Sequence, residues 1–254
     1  MKTFALTLRR LLLVLGFLLA GPALATMTDD VSLDRSWRSA SSDSAGLAPD
    51  PAVTPEAVVQ VYGARTVRWR GAFAVHTWIA VKPEGAQSFT IHEVIGWRFW
   101  QSGNAVRQRQ GTADRYWFGA APELYAELRG EEAATAIPQI EAAIANYPFA
   151  GEYKTWPGPN SNTFTASIAR QVPALNLDLP PTAVGKDYLG ETRFLAATPS
   201  GTGYQLSLFG LLGAGLAVEE GLEVNILGLT FGIDPLDLAI KLPGLGRIAA
   251  TTGS

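Results

Sequence analysis

The chain has 254 residues, no cysteine and a formal net charge of −3. A mildly acidic protein lacks the accumulated Lys and Arg that sequence-independent nucleic-acid binding requires, so no nucleic-acid partner is expected. Without cysteine the chain can form no disulfide and has no thiol nucleophile.

The N-terminus has the layout of an export signal. Basic residues at positions 2, 9 and 10 precede the apolar run at residues 11–20, and a small-residue Ala-Leu-Ala triplet follows at residues 23–25. This order predicts a signal peptide over residues 1–25, cleaved before Thr26. The apolar run is shorter than the roughly 20 residues of a bilayer span, which favours cleavage, with a retained anchor as the alternative. We therefore predict a periplasmic or secreted protein.

The next segments differ in composition. Residues 26–52 are rich in Ser, Asp, Ala and Pro, which is typical of a flexible linker. Residues 53–195 hold β-branched and aromatic runs followed by helical patterns, which predicts an α+β domain. Within it, residues 122–146 have helical spacing interrupted at Gly130, and residues 161–172 repeat apolar residues every four positions.

The C-terminal segment, residues 196–254, is rich in Gly and Leu. Its apolar run at residues 206–218 is too short to span a bilayer and contains three glycines, so we expect buried β-hairpins. The predicted fold is thus α+β, an antiparallel sheet packed on helices with a Gly/Leu-rich β-hairpin extension at the C-terminus.

The two histidines of the chain flank a predicted hairpin turn at residues 83–85. If these three residues form the whole loop, His76 lies opposite His92 and both rings project from the same face. A loop of another length would change this register. For either histidine the alternative is a half-buried, hydrogen-bonded sheet position.

A serine opens the helix predicted at residues 161–172. Asn160 or Ser161 would ordinarily act as an N-cap there. The same position also places the Ser161 hydroxyl and the amides near Asn162 at the positive end of a helix, where a developing negative charge is stabilised. Ser161 is therefore a candidate nucleophile beside a candidate oxyanion hole.

Together these motifs resemble a known family. Asn160-Ser161, followed by Phe164 and preceded by a His on a strand and a polar residue on the next strand, resembles the circularly permuted papain-like fold of NlpC-type amidases and lecithin retinol acyltransferase relatives. Cys stands at the nucleophile position in those enzymes, and His precedes it in the chain. The resemblance covers about residues 60–175, and the whole chain resembles a bacterial envelope family of unknown function.

The resemblance implies a papain-like core and a set of roles. His76 takes the position of the base, His92 that of the third polar residue and Ser161 that of the nucleophile. Tyr153 matches a tyrosine found near the nucleophile in the NlpC-type enzymes. Asn160, Asn162 and Tyr153 would then form the oxyanion site and the cleft.

Two functions are compatible with these roles. The first is a hydrolase or acyltransferase that acts on an amide or ester of the cell envelope, such as a peptidoglycan peptide or a lipid. The second is a non-catalytic binding or structural envelope module that keeps the cleft, because a serine in place of the thiol needs a general base to be activated. The expected partners are envelope peptides, glycans or lipids, with peripheral membrane association.

Two further constellations carry less weight. Zinc held by His76, His92 and Glu93 is disfavoured because strand alternation would place Glu93 on the opposite face, so no metal or cofactor is expected. Residues 97–117 combine arginines with aromatic rings, a pattern suited to carboxylates, phosphates or sugars. The alternative is a set of core aromatics with a solvated arginine rim.

Overall fold

The computed structural model describes residues 2–28, 31 and 41–250. It has the predicted α+β class, with two antiparallel sheets of five and seven strands. The helices are α1 (Lys2–Ala25), α2 (Gly96–Ser102), α3 (Gly130–Ala145) and α4 (Ser161–Gln171), with short 3₁₀ helices at Arg68–Ala72 and Pro173–Leu175. The strands of the first sheet are β1 (Val58–Arg65), β2 (Val75–Lys82), β3 (Phe89–Val94), β4 (Val106–Gly111) and β5 (Pro122–Arg129). Those of the second are β6 (Leu195–Ala197), β7 (Gly203–Leu208), β8 (Leu212–Ala217), β9 (Gly221–Ile226), β10 (Leu229–Asp234), β11 (Ala239–Leu242) and β12 (Gly246–Ala249).

The five-stranded sheet, in the order β4-β3-β2-β1-β5, is covered on both faces. One face packs against α3 and α4 through residues such as Ile79, Ile140 and Phe164. The other face packs against the chain that follows β4, through Trp78 and Trp117 among others. Both faces of β2 are therefore buried, which explains why it reads as a nearly continuous apolar run.

The helix predicted at residues 161–172 is confirmed as α4, which contacts β2 and places its N-terminus at the start of that strand. The helical prediction for residues 122–146 is correct only for its second half. Residues 122–129 form β5, which pairs with β1, and the helix begins at Gly130 with a φ of 57°. Because pairing with β1 supplies backbone partners for these residues, tertiary context overrides their local helical spacing.

The described part of the predicted linker packs against the domain. Asp114, 1% exposed, accepts hydrogen bonds from the Ser44 hydroxyl and from the Leu47 and Ala48 amides. Residues 44–48 are thus fixed by one buried carboxylate rather than flexible. The rest of the segment at residues 29–30 and 32–40 lies outside the described residues.

The seven-stranded sheet runs in the order β12-β11-β10-β9-β8-β7-β6, all antiparallel. Its inner face is polar. Lys241 binds Asp178 at 2.7 Å and Glu223 at 3.0 Å, and Lys186 binds Glu223 at 2.6 Å. This buried ion network joins the sheet to residues 178–186 of the first domain.

The opposite face of this sheet, which points away from the ion network, is apolar; we call it the outer face. The predicted hairpins are confirmed, but the prediction that their apolar side chains are buried is wrong. Along each strand, polar side chains point inward and apolar side chains are exposed on the outer face. Large outward side chains, 41–70% exposed, are Leu195, Tyr204, Leu206, Leu208, Leu212, Leu216, Leu222, Val224, Ile233, Ile240 and Ile248.

Helix α1 carries the predicted signal sequence. Residues 6–25 are long and apolar enough to cross a membrane, a property that signal sequences share. The end of α1 packs on the protein, where Ala25 contacts a small cluster with Val31 and Ala72. Leu18 is buried, and the other leucines of the helix are exposed.

Candidate active site

A cleft of about 630 Å³ opens where the start of β2 meets the N-terminus of α4. His76, Asn160, Ser161 and Asn162 all line it. The remaining wall is largely aromatic. It comprises Trp69, Phe73, Trp97, Trp100, Trp117, Phe118, Tyr153 and Trp156.

The predicted pairing of the two histidines is wrong. His92 lies opposite Ile79, not His76, so the register is shifted by three residues. The physical reason is loop length: β2 ends at Lys82 and β3 starts at Phe89, so six residues separate the strands rather than three. An odd shift moves every side chain of β3 to the other face.

His92 is consequently a core residue outside the cleft. It shares a face with Ile79, which packs on the helices, and it is 2% exposed. Neither ring nitrogen has a hydrogen-bond partner. Burial lowers the pKa of His92 to about 4, so the ring is neutral at physiological pH.

Glu93 takes the place that was assigned to His92. The same shift brings Glu93 to the face of His76, where its Oε2 lies 3.0 Å from His76 Nε2. Glu93 thus lies on the same face as His76, and its predicted position on the opposite face is wrong. The carboxylate is fully buried and also accepts a hydrogen bond from Arg115 at 2.6 Å, with Arg109 at 3.6 Å.

These contacts fix the charge of Glu93. Burial would raise the pKa of the carboxyl, but the hydrogen bond with His76 and the charges of Arg115 and Arg109 outweigh burial and lower the pKa to about 2. Arg109 and Arg115 of the basic and aromatic stretch thus form ion pairs with the buried carboxylate of Glu93. Their density after β3 was the sequence signal that a buried acid lies nearby.

His76 has a defined tautomer as a result. Ionised Glu93 can only accept, so Nε2 of a neutral His76 carries the proton and Nδ1 is the free base. Burial is the main cause that lowers the pKa of His76, which keeps the ring neutral. Its ring stacks on Trp117 with centroids 3.8 Å apart. Unlike the ring nitrogens of His92, Nδ1 of His76 is not a fully buried atom that lacks a hydrogen-bond partner. His76 is therefore an oriented base at the wall of the cleft.

Ser161 is the first residue of α4, as predicted, and is 7% exposed. Both residues are described, and no hydrogen bond joins the Ser161 hydroxyl to His76. The Asn162 and Thr163 amides donate to the Asn160 side chain, which is the N-cap. Of the first three amides of the helix, the Ser161 N–H is the one that does not donate to the Asn160 side chain.

Asn160 and Asn162 hold the helix in place. The Asn160 side-chain NH₂ donates to the carbonyls of Thr155 and Val184. That of Asn162 donates to the carbonyls of Val75 and Val184, while its oxygen accepts from Thr77. Both side chains are thus fully used in positioning Ser161 against β2, although both border the cleft.

Tyr153 lies in the cleft wall. Its ring packs on Gly96 so closely that a Cβ at that position would overlap the ring. Gly96 therefore makes room for Tyr153. Within the described residues, no group of three or more His, Asp or Glu side chains is arranged to hold a metal ion.

Comparisons with known proteins give a family. Residues 56–188 match the family model described as "Protein of unknown function (DUF3750)". This match includes β1 through α4 and every cleft residue named above. The searches of curated proteins and of solved structures found no match.

Proposed function

The chain belongs to the DUF3750 family, and from the geometry of its cleft we propose that it is a serine-dependent hydrolase or acyltransferase for an amide or ester that carries an apolar group. One observation carries the proposal: a buried Glu93 orients His76 into the cleft that Ser161 lines. The arrangement has the three roles of an activated nucleophile, namely nucleophile, base and orienting group. The likeness to permuted papain-like enzymes belongs to the same proposal, with Glu93 in place of His92.

The chemistry follows from the positions of the atoms. Ser161 Oγ attacks the carbonyl carbon of the substrate while its proton passes to His76 Nδ1. The imidazolium that forms is stabilised by ionised Glu93. The free Ser161 amide at the helix N-terminus faces the developing oxyanion. His76 then returns the proton to the leaving group, and water or an acceptor alcohol or amine releases the acyl group by the reverse steps.

The Ser161 and His76 side chains need to approach each other for this reaction. Catalytic hydrogen bonds are often long without substrate and shorten when the complex forms. Ser161 lies at a helix start and His76 is fixed on a strand, so we expect the serine side chain to change rotamer when substrate binds.

The aromatic wall sets the substrate class. A cleft of about 630 Å³ falls in the size range of small-molecule sites. Aromatic rings around it favour an acyl chain or another apolar group over a highly charged peptide. We therefore propose an envelope lipid or lipidated molecule ahead of a peptidoglycan peptide.

Location at the cell envelope is part of the proposal. It is supported by α1, whose residues 6–25 are apolar over the length of a bilayer span. Fractionation of cells that express the full chain tests it, and the chain recovered only in the cytosol would contradict it.

A non-catalytic binding module is the second candidate. It is favoured by one observation, the missing hydrogen bond between Ser161 and His76. Such a module would use the aromatic cleft for an apolar ligand and would not require Glu93 to orient a base.

The deciding experiment is covalent labelling of the purified full chain with an alkyl fluorophosphonate. Wild type is compared with Ser161→Ala, His76→Gln and the control Ser167→Ala, which removes a serine further along α4. Mass spectrometry locates the adduct. We expect labelling at Ser161 in wild type and Ser167→Ala, and none in the other two. Absence of labelling in wild type, together with saturable binding of a fluorescent fatty acid, would favour the binding module.

A further inference from the structure

We propose that the outer face of the seven-stranded sheet and α1 together form a membrane-docking surface, which lies against the acyl chains of a lipid bilayer. The proposal concerns how the protein is held and does not depend on catalysis at Ser161.

The polarity of the sheet is inverted relative to a water-soluble protein. A one-sided antiparallel sheet ordinarily buries its apolar face and exposes its polar face. Here Lys241 and Glu223 point inward, and every outward position of β6–β12 is apolar or glycine. Large exposed apolar patches mark interaction surfaces, and a polar inside with an apolar outside is the pattern of a sheet that faces lipid.

Contact with α1 identifies the partner as a bilayer. The Phe17 ring stacks on the outward ring of Phe231, with centroids 5.1 Å apart. Further along the helix, a Cβ added at Gly21 would collide with the Pro243 carbonyl oxygen, so the helix lies directly on the β11–β12 turn. Residues 6–25 of this helix are long and apolar enough to cross a membrane. The sheet strands that touch it therefore share its surroundings, which a second copy of the chain would not provide.

The helix is kept in this arrangement. Ala25, which precedes the predicted cleavage point, is 1% exposed and packs against Val31 and Ala72. Ala25 thus packs against the folded protein, while its neighbour Leu24 stays 52% exposed. We infer that α1 anchors the chain and that the outer face rests on the same leaflet.

The mouth of the cleft carries the side chains expected at a lipid–water boundary. Trp69, Trp97, Trp100 and Trp156 around it are 51–77% exposed. Tryptophan is enriched at membrane interfaces because its ring is apolar and its N–H is polar. The Trp156 indole donates to the Leu227 carbonyl at 2.9 Å in the β9–β10 turn. This bond connects the tryptophans to the outer face, so docking places the mouth at the interface.

The absence of cysteine makes a direct test practical. Single cysteines are introduced as Leu216→Cys and Ile233→Cys on the outer face, and as Leu124→Cys on β5 for the control, where Leu124 is 40% exposed on the other sheet. Each full-length variant, its mass confirmed, is labelled with the fluorophore NBD and reconstituted in phosphatidylethanolamine–phosphatidylglycerol vesicles. Quenching by doxyl-labelled lipids is compared with quenching by aqueous iodide.

We expect doxyl lipids to quench the labels at positions 216 and 233 several-fold more than the label at 124, and iodide to show the reverse order. Equal iodide quenching at all three sites would overturn the proposal, because α1 would then be the sole membrane contact. Shielding of both outer-face labels from both quenchers would also overturn it and would indicate a second copy. The same measurement in Ser161→Ala is expected to be unchanged, which separates docking from catalysis.

Discussion

His76 Nε2 lies 3.0 Å from Glu93 Oε2, and the two side chains meet diagonally across neighbouring strands, since the β2–β3 register places Glu93 opposite a position two residues from His76. The carboxylate is buried and ionised, with Arg115 at 2.6 Å on the same oxygen. Glu93 is therefore a positioning residue that fixes which nitrogen of His76 is the base.

Replacing Glu93 by Gln should remove that base while the shape of the site is kept. The single amide oxygen can serve Arg115 or His76, and if the NH₂ group faces His76, the proton moves to Nδ1. We expect fluorophosphonate labelling at Ser161 to slow by about 10²- to 10⁴-fold. Glu127→Gln, a change of an exposed acid, is the control. Unchanged labelling of Glu93→Gln across pH 5 to 9 would show that Glu93 has no part in orienting the base.

His92→Leu should leave labelling intact and make the protein less sensitive to acid. The folded pKa of about 4 lies below the ordinary 6.5, so between these values the unfolded chain binds more protons and stability falls as pH falls. The loss contributed by His92 is about 3 kcal/mol between pH 7 and pH 4. Because both ring nitrogens are unpaired, Leu should be neutral or stabilising at pH 7.

Urea unfolding of both proteins at pH 7 and pH 4 measures this effect. The difference isolates His92, since the titration of His76 is common to both. Loss of labelling in His92→Leu at pH 7, with the fold intact, would restore His92 to the catalytic role.

Asn162→Ala should destabilise the fold through the helix start. It removes buried hydrogen bonds to the Val75 carbonyl and from Thr77, and a partly buried one to the Val184 carbonyl. We expect a loss of about 3 kcal/mol. This lowers Tm by about 10 °C for a chain of this size. Asn104→Ala, at an exposed loop, is the control. A variant that melts like wild type but is not labelled would instead assign Asn162 to the oxyanion site.

Lys241→Met should be strongly destabilising because it leaves the buried Glu223 and the half-buried Asp178 without their shared cation. Breaking a buried ion network by removal of one partner costs about 3 to 5 kcal/mol. The control is Lys154→Met, which breaks an exposed pair with Glu191 and should cost less than about 1 kcal/mol. Similar unfolding midpoints in urea for the two variants would contradict the structural role of the network.

Ser161→Cys creates the only thiol of the chain and probes the helix terminus. The helix N-terminus and nearby His76 should favour the thiolate, so alkylation by iodoacetamide should reach half its maximal rate below the ordinary pKa of about 8.5. Ser102→Cys, at an exposed site, supplies the unperturbed value. A pH profile for Ser161→Cys that coincides with the control would mean that the helix start exerts no field on the nucleophile.

The sequence by itself determined the local features of this protein. The order of basic, apolar and small residues marked the N-terminal helix, and apolar spacing gave α4 with Ser161 at its start. Runs of β-branched and aromatic residues predicted several strands of the first sheet but not β5, because composition and capping depend on near neighbours in the chain. The cleft residues His76 and Ser161 were also found from such local patterns, and Tyr153 from the resemblance to the NlpC-type enzymes.

Only the tertiary structure decided which side chains meet. The length of the β2–β3 loop set the register, which exchanged His92 for Glu93 beside His76. Pairing with β1 turned residues 122–129 into a strand. Likewise, the alternation of β7–β10 could be read from the sequence, but whether its leucines face inward depended on the buried lysines and acids opposite them. The register of two strands and the face that each side chain takes depend on contacts between residues far apart in sequence, so no local pattern fixes them.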